Sequence, residues 1–395
     1  MAADPLVLPL DRLRRRTSIK WRLFGPDVLP LWVAEMDVDL APAVAQALRT
    51  AVDEGDTGYA SGAGYLDAFA AFARSRWGWD LPTGRARVVP DVMRGVAETL
   101  AVVTGPGAPV IVTPPVYAPF YAFVRHAGRE VVEVPLGPEG RLDLDRLTGA
   151  MASAAGRGAF LLCSPHNPHG TVHTRAELEA VAAMARTHGI RVVSDEIHAP
   201  LVLPGSNPFV PYLDVAGSDD DVALLSASKG WNLPGLKAAV AVAGPAAAGD
   251  LARIPEVVEH GATHLGVISH TAALREGGVW LDGLLAALVD RRRLLGDLLV
   301  THLPDVHWRP GEATYLAWLD GRDLGLPGAP AQHFLEHAKV ALVDGAEFGE
   351  GGAGHLRLNF ATSTAILTEA VERMAACLQR ARSNQTGTDD GLHRP

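Results

Sequence analysis

Short apolar runs and helical periods alternate along the chain from residue 85 to residue 245. The apolar runs include "PVIVTPP", "GAFLLCSP", "IRVVSDE", "DVALLSAS" and "LKAAVAVAG". They are continuous rather than alternating, which predicts strands that are covered on both faces. One intervening helix, "TRAELEAVAAMARTHG", is predicted to begin at a capping box of Thr174 and Glu177 and to end at Gly189. This alternation of strands and helices is typical of an α/β protein with a doubly wound, mostly parallel sheet.

The pattern changes after roughly residue 280, where a long helix, "WLDGLLAALVDRRRLLGDLLVTHL", leads into further strands and helices. We therefore expect a second, smaller α/β domain. The predicted division is an N-terminal arm at 1–48 that joins the small domain, a large domain at 49–285, the small domain at 286–382 and a tail at 383–395. The tail is polar and aperiodic, which predicts disorder.

Composition narrows the partners and the compartment. The 395 residues carry a formal net charge of −10, which argues against a nucleic-acid or anionic-membrane partner because both favour a basic surface. The chain has only two cysteines, so a disulfide framework is excluded and a reducing cytoplasm is expected. No apolar run of about 18 residues predicts a membrane span, and the first residues do not resemble a signal peptide.

Lysine is scarce in this chain, although arginine is common. The only lysines are Lys20, Lys229, Lys237 and Lys339, and two of them lie in "LLSASKGWNLPGLKAA", residues 224–239. Lysine, unlike arginine, loses its proton readily and can form a Schiff base with a carbonyl compound. Lys229, which directly follows a predicted strand, is therefore a candidate for covalent chemistry, the alternative being a solvated turn residue.

Polar side chains follow three predicted strands at the point where each strand ends. Asn167 follows "AFLLCSPH", Asp195 follows "RVVS", and Ser226, Ser228 and Lys229 follow "VALL". Ligands of such sheets bind at the carboxyl ends of the strands. An amine, a carboxylate, an amide and two hydroxyls would suit pyridoxal phosphate, whose ring nitrogen needs a carboxylate partner and whose phosphate needs hydrogen-bond donors. The alternatives are ordinary turn and cap residues.

The segments "SPHNPHG", "SDEIHAPL" and "SASKGWNLPGLKAA" resemble the three signature blocks of fold-type I pyridoxal-phosphate enzymes, the class I/II aminotransferase superfamily. Within it, "RRRTSIKW", "LPLWVAEMDV", "DTGYASG", "TYLAWLD" and "GHLRLNFA" make the chain similar to the MalY/PatB branch of cystathionine β-lyase-like C–S lyases. The resemblance covers about residues 11 to 380. It implies a pyridoxal-phosphate-binding large domain, a small domain, and a homodimer with shared active sites.

The resemblance also implies roles around the cofactor. Tyr117 is expected to stack on the pyridine ring, so that it joins Lys229 and Asp195 in catalysis; the alternative is a core aromatic residue. Tyr59 is expected to reach the phosphate of a neighbouring subunit, unless it is an ordinary loop tyrosine. Backbone amides near Val92 and Met93 are expected to open a helix that faces the phosphate.

The resemblance also implies how the substrate is bound, and the sequence departs from the pattern of many aminotransferases at two positions. Arg357 is expected to bind the substrate carboxylate with two parallel donors, assisted by Asn167. His198 occupies the position where many aminotransferases have a tyrosine that contacts the phenolic oxygen, and histidine there favours the lyase branch. Lys237 occupies the position of a phosphate-binding arginine, so it either binds phosphate or ends a strand.

The expected activity is that of a pyridoxal-phosphate-dependent C–S β-lyase, which converts cystathionine or another cysteine S-conjugate to thiol, pyruvate and ammonia. A class I/II aminotransferase and decarboxylative deamination of a sulfur-containing amino acid in specialised metabolism remain alternatives. A binding or regulatory protein without catalysis is disfavoured by the intact set of Lys229, Asp195 and Asn167. No metal site is expected, because the glycines around His260 and His264 disfavour the helical turn that would bring the two imidazoles together.

Overall fold

A computed structural model describes residues 4–326 and 328–389. The strands are β1 Leu29–Pro30, β2 Ala86–Val89, β3 Pro109–Val112, β4 Glu130–Glu133, β5 Ala159–Cys163, β6 Arg191–Asp195, β7 Val222–Leu225, β8 Ala239–Ala243, β9 His307–Trp308, β10 Leu316–Asp320, β11 Val340–Ala341, β12 Val343–Asp344 and β13 His355–Asn359. The α-helices are α1 Leu10–Leu13, α2 Ile19–Arg22, α3 Pro42–Glu54, α4 Ala63–Trp77, α5 Val92–Val103, α6 Pro119–His126, α7 Leu144–Ser153, α8 Arg175–His188, α9 Ala248–Ala252, α10 Glu256–Glu259, α11 His264–Glu276, α12 Gly278–His302, α13 Pro330–His337 and α14 Thr364–Asp389.

The large sheet has seven strands in the order β2–β8–β7–β6–β5–β3–β4. The pairs from β7 to β4 are parallel, whereas β8 is antiparallel to both of its neighbours. Every residue of β3, β5, β7 and β8 is buried, as expected for strands covered by helices on both faces. The predicted α/β class with a mostly parallel sheet is therefore confirmed.

Helix α8 begins and ends where the sequence predicts. The Thr174 hydroxyl accepts a hydrogen bond from the Glu177 amide at 3.3 Å, while the Glu177 carboxylate accepts one from the Thr174 amide at 2.7 Å. This capping box satisfies backbone donors that the helix itself leaves free. Gly189 ends the helix with φ of 61°, a left-handed conformation that costs glycine little.

A second sheet follows the large one, with the antiparallel order β12–β13–β10–β9. The predicted long helix is α12, and the proposed boundary between residues 285 and 286 falls inside it. The N-terminal segment lies against this part of the chain, because β1 pairs in parallel with β11 and the Asp37 amide donates to the Ala361 carbonyl at 2.9 Å. The division into domains, with an arm at residues 1–48 that joins the small domain, stays a prediction.

The C-terminal helix α14 continues to Asp389 and includes residues 383–389, the first part of the predicted tail. A helix that is already nucleated on a packed core extends at one hydrogen bond per residue, and polar composition alone does not end it. The rest of the predicted tail, residues 390–395, lies outside the described residues. Within residues 4–326 and 328–389, no helix is both long and apolar enough to span a membrane.

Candidate active site

The carboxyl ends of β5, β6 and β7 border a cavity of about 310 Å³. This volume is at the lower end of the range of small-molecule sites. The cavity gathers most of the residues that the sequence selects: Val92, Met93, Tyr117, Asn167, Asp195, His198, Ser226, Ser228, Lys229 and Lys237. Residues that are far apart in sequence therefore meet here because parallel strands end at the same edge of the sheet.

Asp195, the last residue of β6, supplies a buried carboxylate to the cavity. It accepts a hydrogen bond from the Ile197 amide at 3.1 Å. Burial raises the pKa of Asp195 to about 7, and this hydrogen bond and the Lys229 cation only partly offset the effect. A cationic partner inside the cavity would return the group to its ionised form.

Lys229 lies in the turn after β7, and its Nζ donates a hydrogen bond to the Ala34 carbonyl at 2.9 Å. Burial and, to a smaller extent, repulsion from the Arg357 cation lower the pKa of the amine to about 8. The amine can therefore lose its proton near neutral pH, which a nucleophile or a general base requires.

Arg357, in β13, reaches the cavity through Asn167. Its Nη1 donates to the Asn167 Oδ1 at 3.4 Å, and its Nη2 donates to the Trp32 carbonyl at 3.1 Å. The residue is only 6% exposed, and its Nε is buried without a hydrogen-bond partner. None of the carboxylates in the described part of the chain forms an ion pair with Arg357. A buried guanidinium of this kind calls for an anion.

His198 and Tyr117 border the same cavity as uncharged groups. Burial, with the nearby Lys229 and Arg357 cations, lowers the pKa of His198 to about 3, so its imidazole is neutral. Its buried Nδ1 has no hydrogen-bond partner. Tyr117 lies between β3 and α6, and burial raises its pKa to about 12, so the hydroxyl keeps its proton.

The other end of the cavity lies at the start of helix α5. Asp91 caps this helix by accepting a hydrogen bond from the Arg94 amide at 2.8 Å, and it also accepts one from the Lys237 Nζ at 2.8 Å. Lys237 does not end a strand, since β8 begins only at Ala239. The first-turn amides of the helix and the Lys237 cation therefore provide donors suited to an anion.

The two predicted phosphate-binding serines differ in their contacts. The Ser226 hydroxyl donates to the Ala238 carbonyl at 2.7 Å and accepts from the Ser228 amide at 3.1 Å. Its proton is thus used within the protein, because a hydroxyl has only one to donate. Ser228 is partly exposed to the cavity, which makes its hydroxyl the more accessible donor.

Tyr59 does not lie in the cavity of its own chain. It is 92% exposed, between α3 and α4, and its ring centroid is 6.2 Å from that of His260. The role implied for it lies in a neighbouring subunit and stays a prediction.

Two contributors were not predicted as site residues. The Ala34 carbonyl accepts hydrogen bonds from Lys229 and from the hydroxyl of the fully buried Tyr315, at 2.9 and 3.0 Å. Ala34 and Tyr315 lie in "LPLWVAEMDV" and "TYLAWLD", two of the segments that resemble the MalY/PatB branch. A backbone carbonyl leaves no side-chain signal, and a tyrosine beside apolar residues resembles ordinary core.

A larger cavity, of about 910 Å³, lies elsewhere, beside Trp318 and His355. It contains none of the predicted site residues. Its arginines already have acidic partners, since Arg309 contacts Glu139 at 3.1 Å. The smaller cavity, with the perturbed Asp195 carboxylate and with Arg357 bonded to its lining residue Asn167, is the better candidate for catalysis.

Comparison with known proteins identifies the family. The family described as "Aminotransferase class I and II" matches residues 26–374. A protein of Mycobacterium tuberculosis named "Putative cystathionine beta-lyase" is 55% identical over 408 residues, which cover 97% of this chain and all of that protein. "Cystathionine beta-lyase PatB" of Bacillus subtilis is 33% identical, over 91% of this chain and 96% of that protein. The crystal structure of cystalysin from Treponema denticola, which contains pyridoxal 5'-phosphate, has a TM-score of 0.88 at 26% identity and covers 96% of this chain and all of that one.

Proposed function

The chain belongs to the class I and II aminotransferase family, in the branch of the cystathionine β-lyases, and on that basis we propose that it is a pyridoxal-phosphate-dependent C–S β-lyase. Its substrate is cystathionine or another cysteine S-conjugate. The Cβ–S bond breaks, and with the uptake of one water the products are a thiol, pyruvate and ammonia. The observation that carries the proposal is the convergence of Lys229, Asp195 and Asn167 on one cavity, with Arg357 bonded to Asn167.

The residues of the cavity fit pyridoxal phosphate. Asp195 is a buried carboxylate with a raised pKa, so a protonated ring nitrogen is the kind of partner it lacks. Lys229 offers an amine that deprotonates near neutral pH, as attachment of the cofactor aldehyde requires. When bound, pyridoxal phosphate provides a ring that accepts the electron pair left at the substrate Cα.

The remaining contacts would be divided among the other cavity residues. The Asn167 amide and the neutral His198 would hold the phenolic oxygen, and Tyr117 would cover the ring face. The Ser228 hydroxyl, the first-turn amides of α5 at Val92 and Met93, and Lys237 would bind the phosphate. Ser226 would act indirectly, because its hydrogen bond holds the Ser228 amide.

Lys229 moves the proton in this scheme. With the cofactor bound, the free Nζ of Lys229 would remove the proton from the substrate Cα. Arg357 binds the substrate carboxylate, and so fixes the direction of the Cα–H bond relative to Lys229. The pairing suits Arg357 because it is buried and lacks a carboxylate partner within the described residues.

Assembly and location are also part of the proposal. Two chains would form a homodimer in which Tyr59 of each chain reaches the phosphate bound by the other. The 92% exposure of this tyrosine supports that arrangement, since an aromatic side chain would otherwise be left in water. A cytoplasmic location is supported by the two cysteines, Cys163 and Cys377, which are both unpaired and buried.

The main alternative is aminotransfer, which the family name itself includes. One incubation separates the two activities. The purified enzyme is given L-cystathionine alone or an amino acid with 2-oxoglutarate, and pyruvate, thiol and glutamate are measured. A lyase releases pyruvate and thiol in equal amounts without 2-oxoglutarate. Glutamate formation without thiol release would refute the lyase assignment and support the aminotransferase.

A further inference from the structure

Residues 32–36, of which Ala34 borders the cavity, have no regular secondary structure, and side chains hold their backbone. Each of the five consecutive carbonyl groups accepts at least one side-chain hydrogen bond. The pairs are Trp32 with Arg357, Val33 with Asn359, Ala34 with Lys229 and Tyr315, Glu35 with Lys20 and Asn359, and Met36 with Asn232. The path of this segment is therefore set by residues from distant parts of the chain.

Among these five carbonyl groups, that of Ala34 contacts the amine of Lys229, the proposed catalytic base. It accepts from the Lys229 Nζ at 2.9 Å and from the Tyr315 hydroxyl at 3.0 Å, so two donors occupy its two lone pairs. The contact with Lys229 joins residues 195 positions apart. The donor in this contact is a free Lys229 amine, which has N–H groups to offer to this oxygen.

We propose that the Ala34 carbonyl oxygen is the acceptor site for the free Lys229 amine, and that Tyr315 is a positioning residue that holds this carbonyl in place. The inference rests on the proposed function, in which the free Lys229 amine would take the proton from the substrate Cα. The carbonyl keeps the released amine at the cavity wall. It also favours the ammonium form, because a hydrogen bond from a charged donor is stronger than one from a neutral donor.

The hydrogen bonds of the neighbouring carbonyl groups limit how far a change at Tyr315 disturbs residues 32–36. Lys20 donates to the Glu35 carbonyl at 2.9 Å and to the Asp37 carboxylate at 2.7 Å, with both side chains almost completely buried. These contacts and those of Asn359 hold the segment on either side of Ala34. Replacing Tyr315 by phenylalanine removes one hydroxyl, keeps the ring, and leaves the Ala34 carbonyl free to tilt away from the amine.

The test follows the rate at which the full-length chain, stripped of its cofactor, binds pyridoxal phosphate as a function of pH. This rate depends on the neutral fraction of the Lys229 amine, so its midpoint reports the pKa of that amine. Tyr315→Phe should lower the midpoint by about one pH unit, a tenfold change in the protonation equilibrium. The charged groups that act on this amine remain unchanged in the variant: Arg357, Asp195, Glu35 and Lys237. The neighbouring His198 stays neutral.

Tyr212→Phe is the matched control. Tyr212 is also fully buried, and its hydroxyl donates to Asp221 at 2.9 Å, away from residues 32–36. The control should lose thermal stability as the Tyr315 variant does, but it should keep the midpoint. A Tyr315→Phe midpoint that is unchanged, or raised because the carbonyl merely lost a competing donor, would overturn the inference.

The outcome for the proposed function is measured separately on the unsubstituted enzyme. Pyruvate release from cystathionine supports the proposed function whatever Tyr315 does. An unsubstituted enzyme that neither binds the cofactor nor releases pyruvate would instead refute the proposed function.

The kinetic constants of the variant provide a second test of the positioning role. Tyr315→Phe should lower kcat and leave KM unchanged, because Trp32 and Arg357 keep their own contact. A rise in KM alone would contradict the positioning role.

Discussion

Replacement of Arg357 by lysine is the substitution that best isolates carboxylate binding. The arginine uses Nη1 for Asn167 and Nη2 for the Trp32 carbonyl, and it still has further N–H donors for a substrate. A lysine keeps the charge but gathers its three donors on one nitrogen, so it cannot hold these partners and also grip a carboxylate with two parallel bonds.

The expected loss follows from one charge-assisted hydrogen bond. Such a bond contributes roughly 1.5–3 kcal/mol, and each 1.4 kcal/mol corresponds to about a tenfold change. Arg357→Lys should therefore lower kcat/KM for cystathionine by about 10-fold or more. The effect should be visible in kcat as well as in KM, since the same contact orients the Cα–H bond toward Lys229.

The assay measures pyruvate release over a range of cystathionine concentrations. Arg74→Lys is the control, because Arg74 is exposed and its ion pair is with the exposed Asp80; it should leave kcat/KM unchanged. The unsubstituted enzyme should also react poorly with a cysteine conjugate whose α-carboxylate is amidated. Equal processing of the amide and the free acid, or a normal kcat/KM in Arg357→Lys, would refute the role of Arg357.

Three further predictions concern the buried ionisable groups of Asp195, Lys20 and His173. Asp195→Asn should lower turnover by about 100-fold or more while cofactor absorbance persists in weakened form, because an amide cannot hold the ring proton by charge; near-normal turnover would show that another group faces the ring nitrogen. Lys20→Met should lower the free energy of unfolding in urea by about 3–5 kcal/mol, because it leaves the buried Asp37 carboxylate unpaired; a loss under about 1 kcal/mol would show that water reaches the pair. Burial lowers the pKa of His173 to about 4, so the unfolded chain takes up this proton first and stability falls as the pH drops from about 6.5 toward 4. Between pH 7 and pH 5 the unsubstituted protein should lose about 2 kcal/mol more than His173→Gln, and parallel losses would contradict the burial of a neutral imidazole.

The strand-end residues could be predicted because parallel topology makes sequence position informative. Asn167, Asp195 and Lys229 each follow a buried apolar run, and runs of that kind end at one edge of the sheet. The capping box at Thr174 was equally predictable, since its contacts are between residues three apart. Local patterns and sheet topology therefore accounted for the fold class and for the strand-end residues of the cavity, whereas Tyr117, His198 and Lys237 were predicted only from the family resemblance.

The contacts that cross the chain could not be predicted in this way. The Ala34 carbonyl meets Lys229 and Tyr315 through contacts that span 195 and 281 positions, and its acceptor is a backbone atom that every residue possesses.

The attachment of pyridoxal phosphate to Lys229 can be tested by borohydride reduction of the purified enzyme, followed by peptide mapping. Reduction fixes the cofactor to the lysine that holds it, and the chain offers only Lys20, Lys229, Lys237 and Lys339 as sites. We expect a yellow protein whose cofactor is recovered on the peptide that contains Lys229. An adduct on any of the other three lysines, or a protein that carries no pyridoxal phosphate, would contradict it.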